Sequence, residues 1–205
     1  MKIMSRIMLF CLVLFAAPIH ASVVLYQDLS QFLAAAGPGT TETYEGYAPP
    51  GGFAVLSDST VGSITYSDNA YAVDPAFDGG GYNWGTGAVL LLSNPAPFTP
   101  ILTFAPTKAF GALFGTVNDF QQDITVTIDG QSFLLSTGPF ANWTFYGFIS
   151  DTPFSTFSIS AANSALPILD NVFVGQASVA VPEPASLAML GLGLLGIAIR
   201  RRQAR

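Results

Sequence analysis

Catalysis in proteins draws on a short roster of side chains, and this 205-residue chain is poor in most of them. Its one cysteine is Cys11 and its one histidine His20. Between Ser22 and Ile199 neither type occurs, and Lys108 is the lone cation against all thirteen of the chain's acids. That stretch therefore offers no thiolate nucleophile, no imidazole base, no disulfide, and no zinc site built on His or Cys. A surface so acidic repels nucleic acid, and without arginine it has no clamp for phosphate. Lys108 has no Ser-x-x-Lys context, so no serine is marked as activated. Carboxylate chemistry remains: two acids can split a glycosidic bond, and several can hold calcium. No pair of acids is marked by spacing as catalytic. Asp74 with Asp78, and Asn118, Asp119 with Asp123, are loose oxygen clusters without the spacing of a calcium-binding helix-loop-helix.

A second kind of chemistry lies in the run from Asp78 to Gly87, which reads DGGGYNWGTG. No Lys and no helix pattern follow the glycines, which argues against a phosphate loop. Tyr82 and Trp84 beside Asp78 and Asn83 are instead what a sugar ring needs, a π face for its C–H groups and polar groups for its hydroxyls. The expectation is a loop that contacts glycan through Tyr82 and Trp84, set against ordinary loop aromatics.

The two ends carry addresses rather than chemistry. Lys2 and Arg6, the apolar run Ile7 to Ala17 and the small residue Ala21 have the order of a signal peptide over residues 1–21. At the other end Val181, Pro182, Glu183 and Pro184 precede a charge-free run from Ala185 to Ile199, and Arg200, Arg201, Arg202 and Arg205 follow. Pro184 suits the first position of a helix. Fifteen residues (185–199) at 1.5 Å each cover ~22 Å, short of the ~30 Å hydrocarbon core, so the span is a minimal single transmembrane helix. The arginines mark the cytoplasmic end, which places Glu183 and everything before it across the membrane.

Motif, span and basic terminus in that order resemble the PEP-CTERM sorting signal of exopolysaccharide-producing Gram-negative bacteria. The resemblance covers about residues 180–205, within a sorting segment that spans 177–205. It implies a partner, exosortase, which removes the tail, and a fate: inner-membrane anchoring through 185–199 before processing, then the cell surface or extracellular matrix.

The elements that position the middle of the chain read as almost all β. Val23 to Tyr26 is a short strand, and Asp28 caps a two-turn helix with Leu29, Phe32, Leu33 and Ala36 on one face. Gly37-Pro38-Gly39 ends it. Apolar or β-branched runs follow at 43–47, 53–56, 61–66, 88–92, 101–104, 110–116, 124–128, 133–136, 143–149, 154–159 and 168–174, separated by turn formers. Asp129-Gly130 after the alternating Ile124 to Ile128 predicts a tight hairpin. The spacing is that of a β-sandwich over residues 22–176 with one short N-terminal helix.

Several pieces also resemble the jelly-roll cargo domains that precede such tails: Asp28-Leu29 with Phe32 to Gly37, Thr43-Tyr44-Glu45-Gly46, Ala109 to Gly115, Tyr146 to Ser150, and Leu169-Asp170-Asn171-Val172. That likeness implies a lectin-like or carbohydrate-module-like sandwich. In such modules an early and a late strand share a structural calcium, which makes Glu45 and Asp170 its candidate ligands here; otherwise Asp170 bonds a backbone N–H or faces water. No other cofactor is expected. The chain then reads as an exported, non-enzymatic protein with a structural or adhesive role in a polysaccharide-rich biofilm. The alternatives are a calcium-dependent carbohydrate-binding module and a carboxylate-dependent glycoside hydrolase.

Overall fold

The computed structural model describes residues 22–67, 69–92, 99–117, 122–161 and 166–176. The expected signal peptide, the sorting residues Val181, Pro182, Glu183 and Pro184, the span 185–199 and the arginines Arg200, Arg201, Arg202 and Arg205 lie outside these. Among the described residues no helix is long and apolar enough to cross a membrane.

Strand β1 (Val23–Tyr26) and helix α1 (Leu29–Ala36) are followed by β2 (Gly39–Glu42), β3 (Phe53–Val55), β4 (Thr60–Val61), β5 (Ile64–Tyr66) and β6 (Ala70–Val73). A short 3₁₀ turn (Phe77–Gly80) leads to β7 (Val89–Leu92), β8 (Ile101–Thr116), β9 (Gln122–Ile128), β10 (Gln131–Thr137), β11 (Thr144–Ala161) and β12 (Pro167–Gly175). The all-β expectation holds. At the β9–β10 hairpin Asp129 and Gly130 both have positive φ, 49° and 74°, the backbone a two-residue turn between right-twisted strands requires.

Two strands are too long for one leaf. In β8 the residues 101–107 pair with β5 and with the second half of β11, whereas 109–116 pair with β12 and with the first half of β11. The pairing of β11 with β8 slips between Ile149 and Phe154 and again between Phe154 and Thr156. There β11 also changes its other neighbour, from β1 to β9. Bulged strands of this kind turn the corner from one sheet to the next. One leaf is therefore β4-β5-β8-β11-β9-β10, and the other runs from β1 through β11, β8 and β12 to β7, β6 and β3.

Their inner faces meet through aromatic rings. Phe110 of one leaf stacks on Phe157 of the other at 4.2 Å between centroids, and Phe148 and Phe157, from the two halves of β11, lie 6.3 Å apart. Phe110, Phe114, Phe148, Phe157, Ile124 and Leu102 are all fully buried, which makes this the main core of a β-sandwich.

Three expectations need correction. Runs 101–104 and 110–116 belong to one strand, as do 143–149 and 154–159, because the chain bends between leaves without leaving the ladder. Residues 43–47 are not a strand: the Glu42 carboxylate accepts from the N–H groups of Thr43 and Tyr44 at 3.1 Å each, and Tyr44 takes φ 61°, which turns the chain. On α1, Phe32 and Ala36 are buried while Leu29 and Leu33 stay 48% and 46% exposed. The reason lies beneath the helix. Gly111 and Gly147, paired across β8 and β11, leave a slot for one ring, and a Cβ on Gly147 would stand 2.3 Å from Phe32. Asp28 caps α1 as expected, its Oδ1 accepting from the Gln31 N–H at 2.8 Å.

Candidate functional site

Strand β12 is flanked along its whole length by β8 on one edge, but its other edge changes partner. Ile168 and Leu169 face β7, and Val172 to Gly175 face β2. Asp170 and Asn171 sit at the junction, where the β12–β8 register also slips. Asn171 has φ 50°, a conformation asparagine tolerates better than most residues. Chain on both sides of the gap converges here: Glu45 lies three residues past the end of β2, and Ala88 immediately precedes β7.

Glu45 lies near enough to Asp170 for the two charges to interact. Glu45 Oε1 accepts from the Ala88 N–H at 2.9 Å, which ties the turn after β2 to the start of β7. Gly87 makes this contact possible: its φ is 101° and a Cβ there would come 1.8 Å from Glu45 Oε1. Asp170 is only 1% exposed, and its Oδ1 accepts from the Asn171 N–H at 2.6 Å. Its Oδ2 is buried with no hydrogen-bond partner. Burial pushes the Asp170 carboxyl up to about 6; the Thr86 side chain and the Asn171 N–H hold it down, and the charge of nearby Glu45 pushes it up further.

Asp170, Glu45 and Thr86 therefore form an oxygen cluster in which one buried carboxylate oxygen has no hydrogen-bond partner. Thr86 is the member that sequence reading missed. Its signal was present, since Gly85 and Gly87 on either side permit the close backbone approach that sets a hydroxyl against an acid.

The looser oxygen clusters have structural occupations. Asp74 Oδ1 accepts from the N–H groups of Gly51 and Ala76, both at 2.9 Å, and so holds two turns together. Asp123 accepts from the Ser136 hydroxyl across the β9–β10 ladder at 2.8 Å. Asn118 and Asp119 lie outside the described residues. Among the described residues no group of three or more His, Cys, Asp or Glu side chains is arranged to hold a metal.

Tyr82 and Trp84 do not stand out into solvent, so of a loop that presents these aromatics and one that buries them the structure has the second. Trp84 is 4% exposed and Tyr82 9%. The Gly-rich loop lies over the outer face of β6, β7 and β12, where both rings join Val73, Val89 and Ile168 in a separate core. Trp84 lies on Gly115, where a Cβ would be 2.4 Å from its ring, and packs against Trp143 at 4.6 Å and Phe140 at 5.2 Å. Burying two large aromatics outweighs leaving them in water by several kcal/mol, on the order of 1.5–3 kcal/mol for each large side chain.

Comparison with solved structures finds sugar-related proteins among those similar to this chain. A xylanase 10B from Clostridium thermocellum, a CBM22-1–GH10 pair solved with xylohexaose, is 10% identical over 68% of this chain and 28% of its own, with a TM-score of 0.39. A variant of the family 29 carbohydrate binding module CBM29-2 is 10% identical over 63% of this chain and 98% of its own, at 0.36. The CBM35 of Abf62 from Cellvibrio japonicus is 13% identical over 77% of this chain and 95% of its own, at 0.29. At these scores the likenesses carry no argument about this chain. No curated protein matches it. The tail is different: residues 180–202 match the family model of the PEP-CTERM protein-sorting motif, so this chain carries that sorting signal behind its β-sandwich.

Proposed function

We infer that this is an exported protein of a Gram-negative bacterium, anchored in the inner membrane through 185–199, processed by exosortase, and delivered to the cell surface or extracellular matrix. There its jelly-roll-like sandwich has a structural or adhesive role in a polysaccharide-rich biofilm. The sorting motif at residues 180–202 is the observation that carries this reading. The cargo domain is consistent with it, since its residues include no His or Cys and a single Lys, a composition suited to packing and adhesion rather than to nucleophilic or imidazole catalysis. Pro182→Ala with Pro184→Ala leaves the apolar span and the arginines in place, so it separates recognition from anchoring. The reading expects this double variant to accumulate uncut in the inner membrane; normal processing would refute it.

A second reading, a calcium-dependent carbohydrate-binding module, is favoured by the unpaired Asp170 Oδ2 beside Glu45 and Thr86. Calcium there would neutralise the paired charge and fasten the turn after β2 to β7 and β12. It predicts that calcium raises the melting temperature and that Asp170→Asn removes the effect. A glycoside hydrolase has no comparable support, since sequence marks no catalytic pair of acids.

A further inference from the structure

On the leaf that ends in β3, alternate residues face outward. Val89 and Leu91 of β7, Tyr71 and Val73 of β6, and Phe53 and Val55 of β3 share that outer face, because Phe53 pairs with Val73 and Val55 with Tyr71. The Gly-rich loop covers the β7 end of this face and stops before β3. Phe53 remains 47% exposed and Val55 61%. Phe53 is propped between Tyr71 at 5.9 Å and Phe77 at 5.4 Å, both edge-on, and Phe77 meets Tyr82 at 5.5 Å, so four aromatic rings are linked in the order Tyr71, Phe53, Phe77, Tyr82. Acids border the row. Asp74 is fixed by the Gly51 and Ala76 N–H groups, and exposed Asp78 lies beside Tyr82.

We propose that this aromatic row on β3 and β6 is a docking face for a polysaccharide of amino sugars with free, protonated amines. The proposal rests on the surface-adhesive reading above and names its partner class. The apolar face of a pyranose ring covers Phe53, and the ammonium of the same or a neighbouring unit sits over a ring face and within reach of Asp74 or Asp78. Charge selects this occupant. With one lysine between residues 22 and 199 the domain repels uronate polymers, and a second copy of the chain would bring one acidic border against another.

The test is binding of the full chain, purified in mild detergent, to an immobilised glucosamine hexamer at pH 5.5. An N-acetylglucosamine hexamer, cellohexaose and polygalacturonate serve as comparators, each with calcium and with chelator. The expected result is retention by the glucosamine hexamer in both conditions, weakening as salt rises. Phe53→Ala should weaken it by about tenfold, Phe53→Trp should retain it, and Asp78→Asn should weaken it several-fold with a flatter salt dependence. Melting curves of the variants should match the parent, since Phe53 is a half-exposed edge residue. No retention, or Phe53→Ala binding like the parent, overturns the proposal, as does equal binding of the acetylated hexamer. Calcium-dependent binding that is indifferent to Phe53 also overturns it and places the ligand at Glu45 and Asp170. Failure here leaves sorting untouched, because processing of the Pro182 and Pro184 double variant is read separately.

Discussion

Asp170 concentrates the electrostatic consequences of the fold in one side chain. Its carboxyl is raised to about 6 from an ordinary 3.8, with burial as the main cause. Because the folded state holds this proton more tightly than the unfolded state, the resulting stability is complete below about pH 4 and is lost as pH rises through about 6. Without calcium, Asp170→Asn should therefore match the parent near pH 4 and be the more stable protein at pH 7, by on the order of 2–3 kcal/mol. Thermal unfolding of both proteins across this range checks it, and a parent that outlasts the variant at pH 7 under chelator would contradict the burial argument. On the calcium-binding reading, saturating calcium should reverse the order at pH 7, since the ion would stabilise only the ionised side chain. Trp84 is the second residue whose meaning changes with structure. As a buried member of the outer-face core, Trp84→Ala should cost about 3–5 kcal/mol, measured by denaturant unfolding.

Among the elements, α1 is held by one ring and one cap. Gly147→Ala would push a methyl group into Phe32 and should destabilise by about 1–3 kcal/mol, whereas Asp28→Ala should destabilise less, through the lost cap. Chemical denaturation ranks the two, and a tolerated alanine at 147 would refute the slot beneath the helix. Elements were legible in sequence where local chemistry determines them. The Asp28 cap, the Gly37 stop and the Asp129-Gly130 turn depend on residues within a few positions of each other, and all stand where expected. What was not legible depended on distant partners. Strand β6 has only four residues and lies between β3 and β7, so neighbours rather than alternation make it a strand. The bends in β8 and β11 leave no local signal beyond a Pro and a few polar residues. Glu45 and Asp170 came from resemblance, while Thr86 and the aromatic row of Phe53, Tyr71 and Phe77 emerge only when β7, β6 and β3 lie side by side.

For the molecule as a whole, the sandwich and its address are separable in sequence, and the account depends on the address. The cargo domain supplies a closed aromatic core, a polar junction on β12 and a half-covered outer face at β3. Each could serve adhesion wherever the chain is delivered. The motif at residues 180–202 is the feature on which the proposed delivery rests. The most direct measurement is fractionation of the native bacterium expressing either the full chain or a chain ended after Val181, with the protein quantified in inner membrane, periplasm, cell surface and medium. The full chain is predicted at the surface or in the matrix in a tail-less form, and the shortened chain is predicted to stop in the periplasm. A shortened chain that reaches the same fraction in the same amount would contradict the account.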